Sequence, residues 1–259
     1  MTLFQCLLTN NDCYRANRQI TPVGIMLHST GADNPWLRRY LATDDGTLGA
    51  PSSRHWNQPG LSVCVHAFIG RRADGTVVSY QTLPWTMRSW HCGRGSLGSG
   101  NDTHISIEIC EDGLDDPAYF QAVYRESCQL IAWLCRRYHL DPLQKGVVLC
   151  HAEGHEQGIA SNHGDVLHWF PRYGITMDHV RAEVAQILKE EEDSLTQEQF
   201  DAMMDHWLAD RGALPPSQWA DSILEVAIAQ GITDGSRPQS LATRQEVAAM
   251  ILASKKNPV

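Results

Sequence analysis

Two hydrophobic periods alternate along residues 1–188, and that alternation restricts the chain to strands and helices built against one another. Ile105-Ser106-Ile107-Glu108-Ile109 repeats at every second residue. A strand with that pattern sends its isoleucines to one face and Ser106 and Glu108 to the other. Val23–Leu27 and Val147–Cys150 are apolar runs of buried-strand length. Ser62–Ile69 and Thr76–Tyr80 are β-rich, and Asp74-Gly75 between them is a hairpin signal. The period then becomes helical. Asp116-Pro117 reads as an N-cap followed by proline at the first helical position. Phe120, Tyr124, Ile131, Leu134 and Tyr138 follow at helical spacing, and Thr176 caps a second helix carrying Val180, Val184 and Ile187. The mixture predicts an α/β fold, a mixed central β-sheet flanked by helices.

Lys189-Glu190-Glu191-Glu192-Asp193 opens an acidic stretch, 189–195, that reads as a linker. Beyond it, 196–259 is expected to form a small all-α domain. Thr196-Gln197-Glu198-Gln199 is a capping box for a helix with Phe200, Met203, Met204 and Trp207. Pro215-Pro216-Ser217 breaks it, a second helix runs from about Gln218 to Gln230, and Gly231 ends that one. Thr243-Arg244-Gln245-Glu246 is a further capping box. About sixty residues is near the lower limit for independent stability, so such a unit gains from a partner surface.

Charge and composition remove several classes of function. The chain has 21 basic and 30 acidic residues, a formal charge of −9, and no strongly basic segment, which argues against nucleic acid as a partner. No apolar run approaches the ~20 residues of a membrane span. Eight cysteines form no CxxC pair, and Cys64, Cys110, Cys128, Cys135 and Cys150 lie in apolar stretches where a thiol behaves as a small hydrophobe. Met1-Thr2-Leu3-Phe4-Gln5-Cys6 lacks the basic and long apolar regions of a signal peptide. Synthesis in a reducing cytoplasm is therefore expected.

The histidines point to chemistry. His28 follows Ile25-Met26-Leu27, His151 follows Val147–Cys150, and Ser161-Asn162-His163-Gly164-Asp165 comes shortly after. Two imidazoles at strand ends with a nearby carboxylate supply the three N/O ligands of a catalytic zinc whose fourth position stays open. A single histidine after a strand is more often a hydrogen-bonded core or rim group, so the case rests on the combination. His163 and His155 compete with Asp165 for the third ligand. Glu108 faces away from the apolar side of its strand and is a candidate general base, with a solvated strand carboxylate as the plain alternative. His66 lies within a β-rich run, as a cleft residue or as a core histidine bonded to a backbone carbonyl. Trp90-His91 precede a Gly-rich stretch to Gly100 and suit a loop that contacts sugar or peptide. Trp169-Phe170-Pro171 read as packing. Cys150 and His151, adjacent on one strand, point to opposite faces, which excludes them as a nucleophilic dyad.

Taken in order, Ile25-Met26-Leu27-His28-Ser29-Thr30-Gly31, His66-Ala67-Phe68-Ile69, Asp74-Gly75-Thr76, Ser89-Trp90-His91-Cys92-Gly93, Ile105–Cys110 and Cys150-His151-Ala152-Glu153-Gly154-His155 resemble the type-2 N-acetylmuramoyl-L-alanine amidases, relatives of peptidoglycan recognition proteins. The likeness covers roughly residues 8–188 and is strongest to endolysins of phages with Gram-positive, clostridia-like hosts. It implies that His28, His151 and Asp165 are zinc ligands and that Glu108 is the base. It also implies that His163 stands where many relatives have an oxyanion-stabilising lysine. That is a departure, because imidazole with an ordinary pKa of ~6.5 is not reliably cationic. Val65 stands where some relatives have a tyrosine.

In the C-terminal region, Trp219-Ala220, Gly231-Ile232-Thr233-Asp234-Gly235 and Thr243-Arg244-Gln245-Glu246-Val247-Ala248 resemble one surface-layer homology repeat. Such repeats usually occur in threes and bind cell-wall polymers. The single copy implies either wall targeting or homo-oligomerisation. The resemblances together imply zinc-dependent hydrolysis of the amide between the lactyl group of N-acetylmuramic acid and L-alanine in peptidoglycan. The enzyme is expected to wait in the host cytoplasm until lysis and then reach the wall. A non-catalytic peptidoglycan-binding module is the competing expectation.

Overall fold

The computed structural model describes residues 1–42, 46–192 and 196–256. The chain divides into two compact units, Met1–Glu192 and Asp193–Val259. The first holds β1 (Leu3–Gln5), α1 (Asp12–Ala16), β2 (Gly24–Ser29), β3 (Ala67–Arg71), β4 (Val77–Gln81), β5 (His104–Ile109), α2 (Pro117–Tyr138), β6 (Val148–Cys150), α3 (His151–Glu156) and α4 (Met177–Glu192). Its sheet has the order β1-β4-β3-β5-β2-β6. β3, β5, β2 and β6 run parallel, β3 and β4 form the antiparallel hairpin, and β1 pairs in parallel with β4.

Alternation along the central strands separates a core face from a functional face. Ile25 and Leu27 of β2 and Ile105, Ile107 and Ile109 of β5 are fully buried with Phe120, Ile131 and Leu134 of α2 and Val180 and Val184 of α4. Met26, His28, Ser106 and Glu108 therefore face the other way. Asp116 caps α2 by accepting from the Ala118 and Tyr119 amides. On the β3–β4 side a second cluster packs Phe68, Val78 and Tyr80 under Leu37, Tyr40 and Leu41.

Some elements differ from the expectation. β3 begins at Ala67, and the preceding residues contribute only an isolated bridge from Cys64 to Trp90. β1 and α1 carry too few residues for a periodic signal to show. Lys189–Glu192, read as the start of a linker, continue α4. Gln186 donates to Glu190 one turn on, at 2.8 Å, and Glu191 pairs with Arg136 of α2. Residues 193–195 of the expected linker lie outside the described residues.

The second unit holds α5 (Gln197–Ala213), α6 (Asp221–Ala229) and α7 (Arg244–Lys256). Thr196 and Gln199 form a reciprocal capping box, and Thr243 and Glu246 pair in the same way. Phe200, Met203, Trp207 and Trp219 are exposed. Among the described residues, no helix is long and apolar enough to cross a membrane.

Candidate active site

Parallel pairing of β2 with β5 sets His28 directly beside Glu108 on the face away from α2 and α4. β6 pairs on the other side of β2, with Cys150 opposite Leu27, so three strands end together. The carboxyl ends of parallel strands are where α/β sheets commonly bind ligands. After Cys150 the chain turns at once into α3, which places His151 on the first turn of a helix and not on a strand as expected. Asp165 opens a short 3₁₀ turn, Asp165–His168, with φ at +43°. Left-handed backbone of that kind is tolerated by aspartate and is costly for most side chains. Val166, Trp169 and Phe170 anchor the turn in the core; Trp169 and Phe170 pack as expected, whereas Pro171 is exposed. Glu111, just past β5, accepts from the Gly31 amide at 3.0 Å and meets His168 Nε2 at 3.0 Å, tying the turn to the end of β2.

The three elements bring three donor atoms together. His28 Nδ1 lies 3.0 Å and His151 Nδ1 2.7 Å from the same oxygen, Asp165 Oδ2. The ligand atoms of His28, His151 and Asp165 all fall within 4.8 Å of one another. The alternatives for the third position have other partners. His155 Nδ1 is 3.1 Å from the Ala160 carbonyl, and His163 is exposed with its Nδ1 3.1 Å from Ser161 Oγ. Protonation states suit a cation as well. Burial pushes the His28 pKa down, opposed in part by Asp165. Burial works to raise Asp165, but its hydrogen bonds to His151 and His28 outweigh that and hold the carboxyl well below its usual range. A neutral imidazole beside an ionised carboxylate, both converging on one point, is a donor set that fits zinc.

Glu108 is partly buried, and its Oε2 has neither solvent nor a hydrogen-bond partner. Burial first, then the negative charges of Asp165 and Glu111, drive its pKa well above the ordinary value. A carboxyl held this way near a cation site is suited to taking and returning a proton.

His66 is corrected from cleft residue to core residue. It is fully buried, with Nδ1 3.0 Å from Ser106 Oγ and Nε2 2.7 Å from the Met87 carbonyl. Burial lowers its pKa to about 4, with the Met87 carbonyl opposing. Trp90 is exposed under the Arg88 guanidinium, 5.3 Å from its ring, and lines a cavity of about 340 Å³ with Cys13 and Arg18, apart from the residues of the triad. His91 turns inward behind the triad, with Nδ1 2.8 Å from His28 Nε2. Burial, then the neighbouring His28, pushes the His91 pKa well down. Cys150 is buried and its thiol is pushed up to about 11, so it is no thiolate nucleophile. Sequence reasoning missed Glu111, Asn101 and Ser161 as parts of the site. Ser161 stands beside His163 in the very segment that supplies Asp165, which was the available signal.

The fold and the triad together define a class. The sequence profile of the N-acetylmuramoyl-L-alanine amidases matches residues 18–167, and the chain belongs to that family. It is similar to N-acetylmuramoyl-L-alanine amidase XlyA of Bacillus subtilis, at 35 % identity over 107 residues. That match takes in 39 % of this chain and 29 % of XlyA, so the chain spans less than a third of this relative's length. Among solved structures, a mutant of PlyL superposes with a TM-score of 0.50 at 19 % identity, covering 71 % of this chain and 98 % of that one. A mutant endolysin from Bacillus subtilis gives a TM-score of 0.48 at 20 % identity, covering 71 % and 99 %. The PlyL match supports the fold: a mixed six-stranded sheet flanked by helices.

Proposed function

We propose that the chain is a zinc-dependent endolysin that hydrolyses the amide between the lactyl group of N-acetylmuramic acid and L-alanine in peptidoglycan. The observation that carries the reading is the convergence of His28, His151 and Asp165 within 4.8 Å, in a chain of the amidase family. These three residues would hold the metal, which when bound supplies a Lewis acid that polarises a carbonyl and acidifies water. Glu108 is the base: its carboxylate takes a proton from the attacking water and returns it to the departing amine of L-alanine. His163 would donate to the oxygen on which negative charge develops, a role supported by its exposure beside His151 with ring centroids 4.8 Å apart. Trp90 offers an exposed aromatic face for sugar or peptide.

The proposal extends to a phage of a Gram-positive, clostridia-like host, from the motif likeness, and to action at the wall after release from the host cytoplasm. The second unit is the wall-attachment or self-association element. Its single surface-layer-homology-like repeat and the exposed Phe200, Met203, Trp207 and Trp219 support that role.

Purified Gram-positive peptidoglycan tests the reading. The expected result is release of L-alanine amino groups without new reducing sugars, abolished by chelator, restored by zinc and lost in Glu108→Ala. Zinc and wall binding without amine release would instead identify a peptidoglycan-binding module.

A further inference from the structure

Both imidazoles of the triad aim Nδ1 at Asp165, and one short stretch of chain stands behind both Nε2 atoms, directly for His28 and through Ser161 for His151. His28 Nε2 meets Nδ1 of His91 at 2.8 Å. His151 Nε2 lies 3.2 Å from Ser161 Oγ, and that hydroxyl donates to the Cys92 carbonyl at 3.1 Å. The Ser161 amide donates to the same Cys92 oxygen at 2.9 Å. His163 Nδ1 also approaches the hydroxyl, at 3.1 Å. The turn that carries His91 and Cys92 is held from beneath by Asn101, which is fully buried. Asn101 Oδ1 accepts from the His91 amide at 2.7 Å and the Cys92 amide at 3.1 Å, while its Nδ2 donates to the Gly93 carbonyl at 2.9 Å. Gly93 itself is in the left-handed region, at φ +65°, and a Cβ there would stand 3.0 Å from Ser161 Oγ.

We propose that the His91–Gly93 turn, pinned by Asn101, is the device that orients both imidazoles of the metal centre, His91 acting on His28 directly and Cys92 acting on His151 through Ser161. This rests on the reading of His28, His151 and Asp165 as zinc ligands. An imidazole that binds a cation through Nδ1 must carry its proton on Nε2, and that N–H needs an acceptor. His91 Nδ1 is the acceptor for His28, with the proton of His91 itself on its buried, unpartnered Nε2. Ser161 is made an acceptor by Cys92: its one proton is committed to the carbonyl, so a lone pair is left for His151. One turn thus sets the tautomer of two ligands far apart in sequence. His91 and Ser161 are positioning residues, and neither needs to touch substrate.

The test measures zinc affinity of the full chain by competition with a chromophoric chelator, beside the melting temperature of the metal-free protein. His91→Ala and Ser161→Ala are each expected to weaken zinc binding by about 10–100-fold while the metal-free protein melts as the parent does. His91→Asn keeps an acceptor atom where Nδ1 stands and is expected to recover most of the affinity. Zinc affinity equal to the parent's in both His91→Ala and Ser161→Ala overturns the proposal. If His91→Ala fails to fold, Ser161→Ala decides alone, since it removes one oxygen. Failure of the parent chain to bind zinc at all would sink the underlying metal reading and not the turn's role separately.

Discussion

Replacing Glu108 with glutamine is expected to stabilise the metal-free protein while removing its chemistry. The carboxyl is partly buried, its Oε2 is sealed from solvent without a donor, and Asp165 and Glu111 add negative charge nearby. Glutamine keeps the shape and the unpaired polar end but discards the charge, so its gain is what ionising a carboxyl of raised pKa costs above the ordinary 4.5, at most about 1.4 kcal/mol per pH unit. The expected gain at pH 7 is therefore about 1–3 kcal/mol. For a domain of this size each kcal/mol raises the melting temperature by roughly 2–4 °C. The pH dependence has a definite sign. The folded-state pKa is raised above the ordinary 4.5 of glutamate, so the wild type carries no penalty at pH below that value and loses stability as pH rises above it. Glutamine does not titrate, so the advantage of the variant should be near zero at pH 4 and grow toward pH 7. Thermal melts with chelator at both pH values measure it. An equal gain at both, or no gain at pH 7, refutes the account of Glu108 as a buried, unpaired carboxylate. With zinc bound, the opposing charge should shrink the difference.

His66→Ala should lower stability by roughly 1–3 kcal/mol, because the Met87 carbonyl and Ser106 hydroxyl lose their partner. KM should stay put in that variant, and a selective rise in KM would return His66 to the cleft. Trp169→Ala should cost about 3–5 kcal/mol in denaturant melts, since the ring is fully buried against Tyr119, Phe120 and Phe170 and anchors the turn of Asp165. His163→Lys should hold amidase activity to higher pH than the parent, because lysine stays cationic to about pH 10. Identical pH–rate profiles for parent and variant would remove His163 from the chemistry.

Much of the frame was legible because its signals are local. The Ile105–Ile109 alternation assigned faces to β5, and the isoleucines are buried while Glu108 turns to the opposite side. Asp116-Pro117 marked the start of α2, and the Asp74-Gly75 turn marked the β3–β4 hairpin. Local signals also misled. The acidic run at 189–192 looks solvated and linker-like, yet Gln186 and Arg136 give Glu190 and Glu191 partners that keep them helical. His151 follows an apolar run whose pattern continues as strand, but the chain caps itself at Cys150, whose amide donates to Glu153 at 3.1 Å.

The sequence by itself determined the fold class, the faces of the central strands and the short list of groups able to bind a metal or carry a proton. Periodicity, caps and turn residues act over a few positions, and residue type alone sets what a side chain can donate, accept or ligate. Tertiary structure decided the rest. Asp165 reaches His28 across 137 residues and His91 reaches it across 63, and no local pattern carries such distances. The same packing brought the Asp165 carboxylate to His28 and His151, gave His155 and His163 other partners, sank His66 into the core, and turned His91 to the back of His28. Those outcomes depend on which strands pair and how loops fold over their ends, so they exist only once the sheet has formed.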